Sequence, residues 1–157
     1  MDAHHTPDPA ALRAVVSEIA ARATVAVGLA GIALIHLLDS IGKWSETRYL
    51  FWMYIALMAG SLATAAAVLF TRNRTAWLAA AGLAASALVG YVVNRTVGLP
   101  NATGDIGNWT EPLGLASLFV EATVFAVSVA GLAVSRGVAT SRAGSAPARR
   151  DLATTAA

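Results

Sequence analysis

Cysteine is absent from all 157 residues, which excludes disulfides, thiolate metal sites and a thiol nucleophile, and leaves the redox compartment unreadable. Charge is also scarce, with Asp, Glu, Lys and Arg making up 13% of the chain against the roughly 25% usual in soluble domains. Lysine occurs once, at Lys43, beside ten arginines. Ala, Val, Leu and Gly fill the space, and 57% of the residues are hydrophobic. The composition is that of a membrane protein, and the Ala-rich, Arg-over-Lys usage suits a GC-rich bacterium.

Four apolar runs can be tested against the roughly 20 residues a helix needs to cross about 30 Å of hydrocarbon. They lie at about 20–41, 50–70, 76–93 and 113–134. Backbone polar groups in lipid must be satisfied within the segment, so each run is read as a helix. A cleaved signal peptide is the rival reading of the first run. The leader before it is long, carries Asp2, Asp8 and Glu18, and no small-x-small cleavage site follows. The first run is therefore kept as a span.

Arginine and lysine near span ends favour the cytoplasmic side. With both termini inside, Arg13, Arg22, Arg72, Arg74, Arg136, Arg142, Arg149 and Arg150 are cytoplasmic, and Lys43, Arg48 and Arg95 are outside. The expected fold is all-α: a four-helix transmembrane bundle, up-down-up-down, N-in/C-in, in a bacterial cytoplasmic membrane. Residues 1–19 form a cytoplasmic N-terminal segment, 20–135 the membrane domain, and 136–157 a disordered cytoplasmic tail. Pro9 can start a short amphipathic helix with Arg13 and Glu18 on its wet side.

Small residues let membrane helices approach closely. Gly82, Ser86 and Gly90 in the third run, and Ala59, Ala63 and Ala67 in the second, are spaced as packing rows. The paired His4 and His5 near the terminus read as a solvated tail, with copper capture the alternative. The C-terminal arginines read as topology anchors, with no nucleic acid partner.

Two ionisable groups sit at membrane depth, His36 in the first run and Glu121 in the fourth, each roughly 8–12 Å below the outer surface at 1.5 Å per residue. His36, Asp39, Ser40 and Lys43 share one helical stripe; Gly114, Ser117, Glu121 and Ser128 share another. A carboxylate at that depth must be paired, hydrated or protonated. Its partner could be His36, Arg95 or a bound ion. The pair is then a latch between the first and fourth helices or the floor of a polar pocket; the third reading is a protonated Glu121 with no special role. A bis-histidine haem would need a second buried histidine, and no phosphate loop, His-Glu-x-x-His or nucleophile elbow occurs. Catalytic residues are not indicated.

Residues 95–112 carry two prolines, turn-forming Asn101, Gly104, Asp105, Gly107 and Asn108, and a Glu-Pro stop before the fourth helix. They are read as a compact outer cap, with Trp109 over the bundle mouth and Arg95 close enough to meet Asp105 or Glu111. The candidate polar pocket is His36, Asp39, Arg95, Asp105, Trp109, Glu111 and Glu121.

The stretches GIALIHLL at 31–38, RTVGLP at 95–100 and GNWTEPLGLASLFVE at 107–121 resemble a family of small, uncharacterised four-span membrane proteins of actinobacteria. The resemblance implies recurring features at His36, at the Arg-Thr-x-Gly-Leu-Pro motif of 95–100, at Glu111 and Pro112, and at Glu121. It brings no assigned activity. Many relatives also carry a second His in a Pro-Glu-His context just beyond the first helix, where this chain has DSIGKW at 39–44.

The expectation is a non-enzymatic membrane protein with a cap over a His/Glu pair, serving as a latch or as a pocket for a partner or ligand. The alternative is a metal- or redox-linked accessory of copper, haem or quinone chemistry, with His36 and Glu121 as candidate metal ligands. No cofactor is predicted beyond that open metal ion. The lipid bilayer is the partner, with a membrane protein or a second copy left open.

Overall fold

The computed structural model of the chain describes residues 8–144, the last ten by backbone alone. Helix α1, Pro9–Ser40, begins where the Asp8 carboxylate accepts the Ala10 amide at 2.9 Å and Pro9 takes the first position, which suits proline because no hydrogen bond is lost there. A single turn, α2 (Lys43–Glu46), leads into α3, Arg48–Phe70. Asn73 caps α4, Arg74–Thr96, by accepting the Thr75 amide at 3.0 Å. Helix α5 is Pro112–Gly144.

Four of these helices are long and apolar enough to cross a membrane. The late part of α1 (His36) meets the early parts of α3 (Tyr54) and α5 (Glu121), and the early part of α4 (Trp77) meets the late part of α5 (Gly131). The architecture is therefore an all-α, up-down-up-down four-helix bundle, and the protein is a multi-pass membrane protein. The end that carries the 97–111 loop is called the cap end below.

Helix α1 packs along both α3 and α5, and α4 packs along α5; of the neighbouring pairs of long helices, α3 and α4 touch least. The core joins Val25, Leu29 and Ile32 of α1 to Val68 of α3, Trp77 and Ala80 of α4, and Val124 of α5. Between helices in lipid the gain is close van der Waals fit rather than escape from water. Alanines at the α4 seam allow that fit.

Three expectations need correction. The Gly82/Ser86/Gly90 row is not the packing face of α4: a Cβ at Gly82 or Gly90 would meet open space, while Ala76, Ala80 and Ala84 are buried. Nor is Ala59/Ala63 the face of α3, where Ser61, Thr64, Ala65 and Val68 are buried instead. Small-residue spacing marks a stripe on a helix, but the direction of the neighbour decides which stripe is used.

The third correction concerns the ends. Helix α5 passes Val134 and reaches Gly144, so 136–144 is helical rather than part of a disordered tail. Nothing between Ser135 and Gly144 breaks a helix except glycine, which only weakens one. Helix α1 starts at Pro9, where the sequence allowed a helix to begin, and continues without a break into the apolar run. His4, His5, Arg149 and Arg150, and the side chains of Arg136 and Arg142, lie outside the described residues.

At the end opposite the cap, Arg22 does more than anchor the topology. Its guanidinium donates to the Val68 carbonyl at 2.6 Å and the Thr71 carbonyl at 2.7 Å, pairs with Glu18 at 2.9 Å, and lies 5.7 Å from the Trp77 ring centre. Carbonyls in the last turn of a helix have no partner within it. Arg22 supplies that partner to α3.

Candidate functional site

The site begins with the cap. Arg95 closes α4 and is 6% exposed. Its guanidinium meets Asp105 Oδ1 at 2.8 Å and Glu111 Oε2 at 3.7 Å, and stands 5.0 Å from the Tyr91 ring centre. Its carbonyl accepts the Gly107 amide at 2.9 Å. Asn94 adds a donor to Asp105 Oδ2 at 3.1 Å. Burial raises the pKa of the Asp105 carboxyl, but hydrogen bonds from Asn94 and Arg95 and the Arg95 charge outweigh it, so the pKa lies below the usual carboxylate value.

The loop is tied down on its other side as well. Tyr49 donates to the Pro100 carbonyl at 2.7 Å and Thr47 to the Asn101 carbonyl at 3.4 Å, and a bridge pairs Leu99 with Ala102. Gly98 sits at φ 77°, and a Cβ there would come within 3.0 Å of Ile106 and 3.1 Å of Thr103. Only glycine meets both demands without strain. Glu111 caps α5, accepting the amides of Leu113 at 2.9 Å and Gly114 at 2.5 Å; a carboxylate suits a helix N-terminus by charge and by hydrogen bonding.

Beneath the cap lies a cavity of about 640 Å³ between all four long helices, within the range of small-molecule sites. Six of the seven predicted pocket residues line it: His36, Asp39, Arg95, Asp105, Glu111 and Glu121. Trp109 does not. It is 43% exposed and packs edge-on against Tyr91, ring centres 6.0 Å apart, because the turn at Gly107, with φ 78°, carries it onto that ring. The expected lid over the mouth is thus built by Arg95 and its two acids.

Glu121 and His36 form the floor. Glu121 is 1% exposed; its Oε1 accepts the Ser117 hydroxyl at 2.6 Å and its Oε2 has no partner. His36 Nδ1 is 2.9 Å from the Ile32 carbonyl, which can only accept, so this nitrogen carries the hydrogen. The lone pair of the neutral ring is then on Nε2, 3.9 Å from Glu121 Oε1. That is too long for a direct hydrogen bond. Tyr54 meets the His36 ring edge-on, centres 5.2 Å apart.

Gly114 lets the walls close. A Cβ there would meet the Tyr91 ring at 2.7 Å and Glu111 Oε2 at 3.0 Å. Tyr91 and Asn94, beside Arg95, are site residues outside the set expected from the sequence. Their spacing to Arg95, four residues and one residue earlier, puts Tyr91 on the same helical face, a signal available from the sequence.

Among the described residues, no three His, Cys, Asp or Glu side chains come together as a metal ion would need. Compared with protein families, curated proteins and solved structures, the chain matches none.

Proposed function

We propose that the protein is a small-ligand-binding protein of the bacterial cytoplasmic membrane, with both termini in the cytoplasm and the cap outside, and that it is not an enzyme. One observation carries the reading: Glu121, whose Oε2 is buried and unpartnered, lines a cavity large enough for a small molecule. A latch would spend that oxygen on a protein donor, and the His36 ring instead stands 3.9 Å from the other oxygen, Oε1, too far for a hydrogen bond. A metal-linked accessory is less well supported, since His36 and Glu121 give two ligands and tetrahedral zinc takes four. The cap motif at 95–100 supports kinship with the actinobacterial four-span family on resemblance alone.

Because the chain has no cysteine, introduced thiols report on the cavity directly. In nanodiscs of zwitterionic lipid, Ser117→Cys on the cavity wall should react with the small neutral reagent methyl methanethiosulfonate. Ser128→Cys, fully buried and outside the lining, should stay inert. Two inert thiols would mean a packed latch and overturn the pocket.

A further inference from the structure

The cavity's chemistry points to the charge of what it holds. Its ionisable lining is Asp39, Asp105, Glu111 and Glu121 against Lys43 and Arg95, with His36 besides. The two cations are already committed, Arg95 to Asp105 and Glu111, and Lys43 to Glu46 at 3.1 Å. Among the described residues, neither Asp39 nor Glu121 has a Lys or Arg within ion-pair distance. The uncompensated charge of the cavity is negative.

The floor also lacks donors. The Ser117 hydroxyl is spent on Glu121 Oε1 and the His36 N–H on Ile32, which leaves Glu121 Oε2 and His36 Nε2 as acceptors. Higher up, Asn94 Oδ1 is another buried acceptor without a partner. The unpartnered groups of the lining that can donate, Arg95 Nε and the Tyr91 hydroxyl, both belong to the end of α4 next to the cap. A carboxylate in low dielectric gains most from a cation that also donates hydrogen bonds. A primary ammonium does both, with three N–H groups.

The route in follows from packing. Of the lining residues, Met53, Ala56 and Ser86 are exposed, and they sit on α3 and α4, the neighbouring long helices that touch least. Gly60 of α3 still meets Leu83 of α4, where an added Cβ would lie 3.4 Å from the leucine. The two helices therefore meet near their middles, and the exposed lining residues lie on the cap side of that contact. The opening faces the side of the bundle, and Met53, Leu57, Leu83 and Ala87 give it apolar walls.

We infer that the cavity binds a lipophilic primary amine in its protonated form, entering between α3 and α4, with its ammonium on Glu121 and His36 and its apolar part between Leu57 and Leu83. This rests on the cavity being a ligand pocket. Quaternary ammonium ions, which cannot donate, fit the charge but not the acceptors.

The test uses Ala87→Cys as a reporter in nanodiscs of zwitterionic lipid, with protection from methyl methanethiosulfonate as the readout. Three probes that share the phenethyl group are compared: phenethylammonium, neutral 3-phenylpropanamide and anionic 3-phenylpropanoate. Phenethylammonium should protect saturably, at concentrations at least tenfold below the other two. Adding Glu121→Gln should abolish that tenfold preference while the melting temperature holds. Equal protection by all three, or a preference unchanged by Glu121→Gln, would overturn the inference and leave the pocket standing. Protection by none would overturn the inference too, and the Ser117→Cys result then decides the pocket separately.

Discussion

His36 Nε2 and Glu121 Oε1 face each other across 3.9 Å at the floor of the cavity, and neither offers the other a hydrogen in the neutral-imidazole, ionised-carboxylate state. The arrangement tolerates loss of the charge better than its reversal. Glu121→Leu should change stability by no more than about 1 kcal/mol, since it deletes a desolvated acceptor along with one hydrogen bond. Glu121→Lys should cost about 3–5 kcal/mol by burying a charge with no partner. Thermal unfolding in nanodiscs checks the order; a Lys variant as stable as the Leu variant would mean that water reaches Glu121 freely.

Asp105 makes the cap sensitive to acid in a defined window. Despite the opposing effect of burial, its bonds from Asn94 and Arg95 hold the folded pKa below the ordinary value of 3.8. A carboxyl depressed on folding adds stability that is complete above its unfolded pKa and is lost as pH falls through the folded one. The cap should stay closed at pH 5 and loosen only below about pH 4. Hydrogen exchange of the Gly107 amide, bonded to the Arg95 carbonyl, reports this. Asp105→Asn should exchange faster at neutral pH and lose the acid transition; a midpoint near pH 6 would assign the transition to another group.

Two glycines in the same loop should respond oppositely to one methyl group. Gly98→Ala meets both a positive φ and contacts at 3.0–3.1 Å, and should destabilise by about 1–2 kcal/mol. Gly104 has open space at its Cβ position and no positive φ, so Gly104→Ala should fall within about 0.5 kcal/mol. Equal melting temperatures for the two would show that the loop relaxes around position 98.

The spans are legible because membrane thickness fixes how long an apolar run must be, and the Arg95 pairing because a lone cation stands among acids in a short loop. His36 and Glu121 stand out as ionisable groups at matching depth. What hides is direction. The spacing of Gly82, Ser86 and Gly90 is visible, yet the buried face of α4 is Ala76, Ala80 and Ala84. Trp109 reads as a lid from its amphipathic ring, but the Gly107 turn decides where that ring goes. Tyr91 could be placed on the Arg95 face by its spacing of four, but that face exists only because the helix continues past the apolar run at Val93 to Thr96, taking Asn94 and Arg95 with it.

Arg22 should prove a structural residue as well as a topological one. Replacing it with Ala frees the Val68 and Thr71 carbonyls and should cost about 1–3 kcal/mol, as for hydrogen bonds from a charged group. Arg22→Lys keeps the charge but loses the fork that reaches two carbonyls and Glu18 together, so it should fall between. If Lys restored full stability, charge alone would account for the residue.

The arginine bias makes a specific expectation for the direction of the bundle in the membrane. Among the described residues, Arg13, Arg22, Arg72, Arg74, Arg136 and Arg142 belong to the end of the 71–73 turn, against Lys43, Arg48 and Arg95 at the cap end. On intact cells, Gly104→Cys in the cap should react with an impermeant maleimide, and Asn73→Cys in the α3–α4 turn should react only after lysis. Both positions are exposed, so accessibility within the protein does not separate them. The reverse pattern would invert the bundle and put the cavity's cap end in the cytoplasm, where its amine would have to come from the inner leaflet.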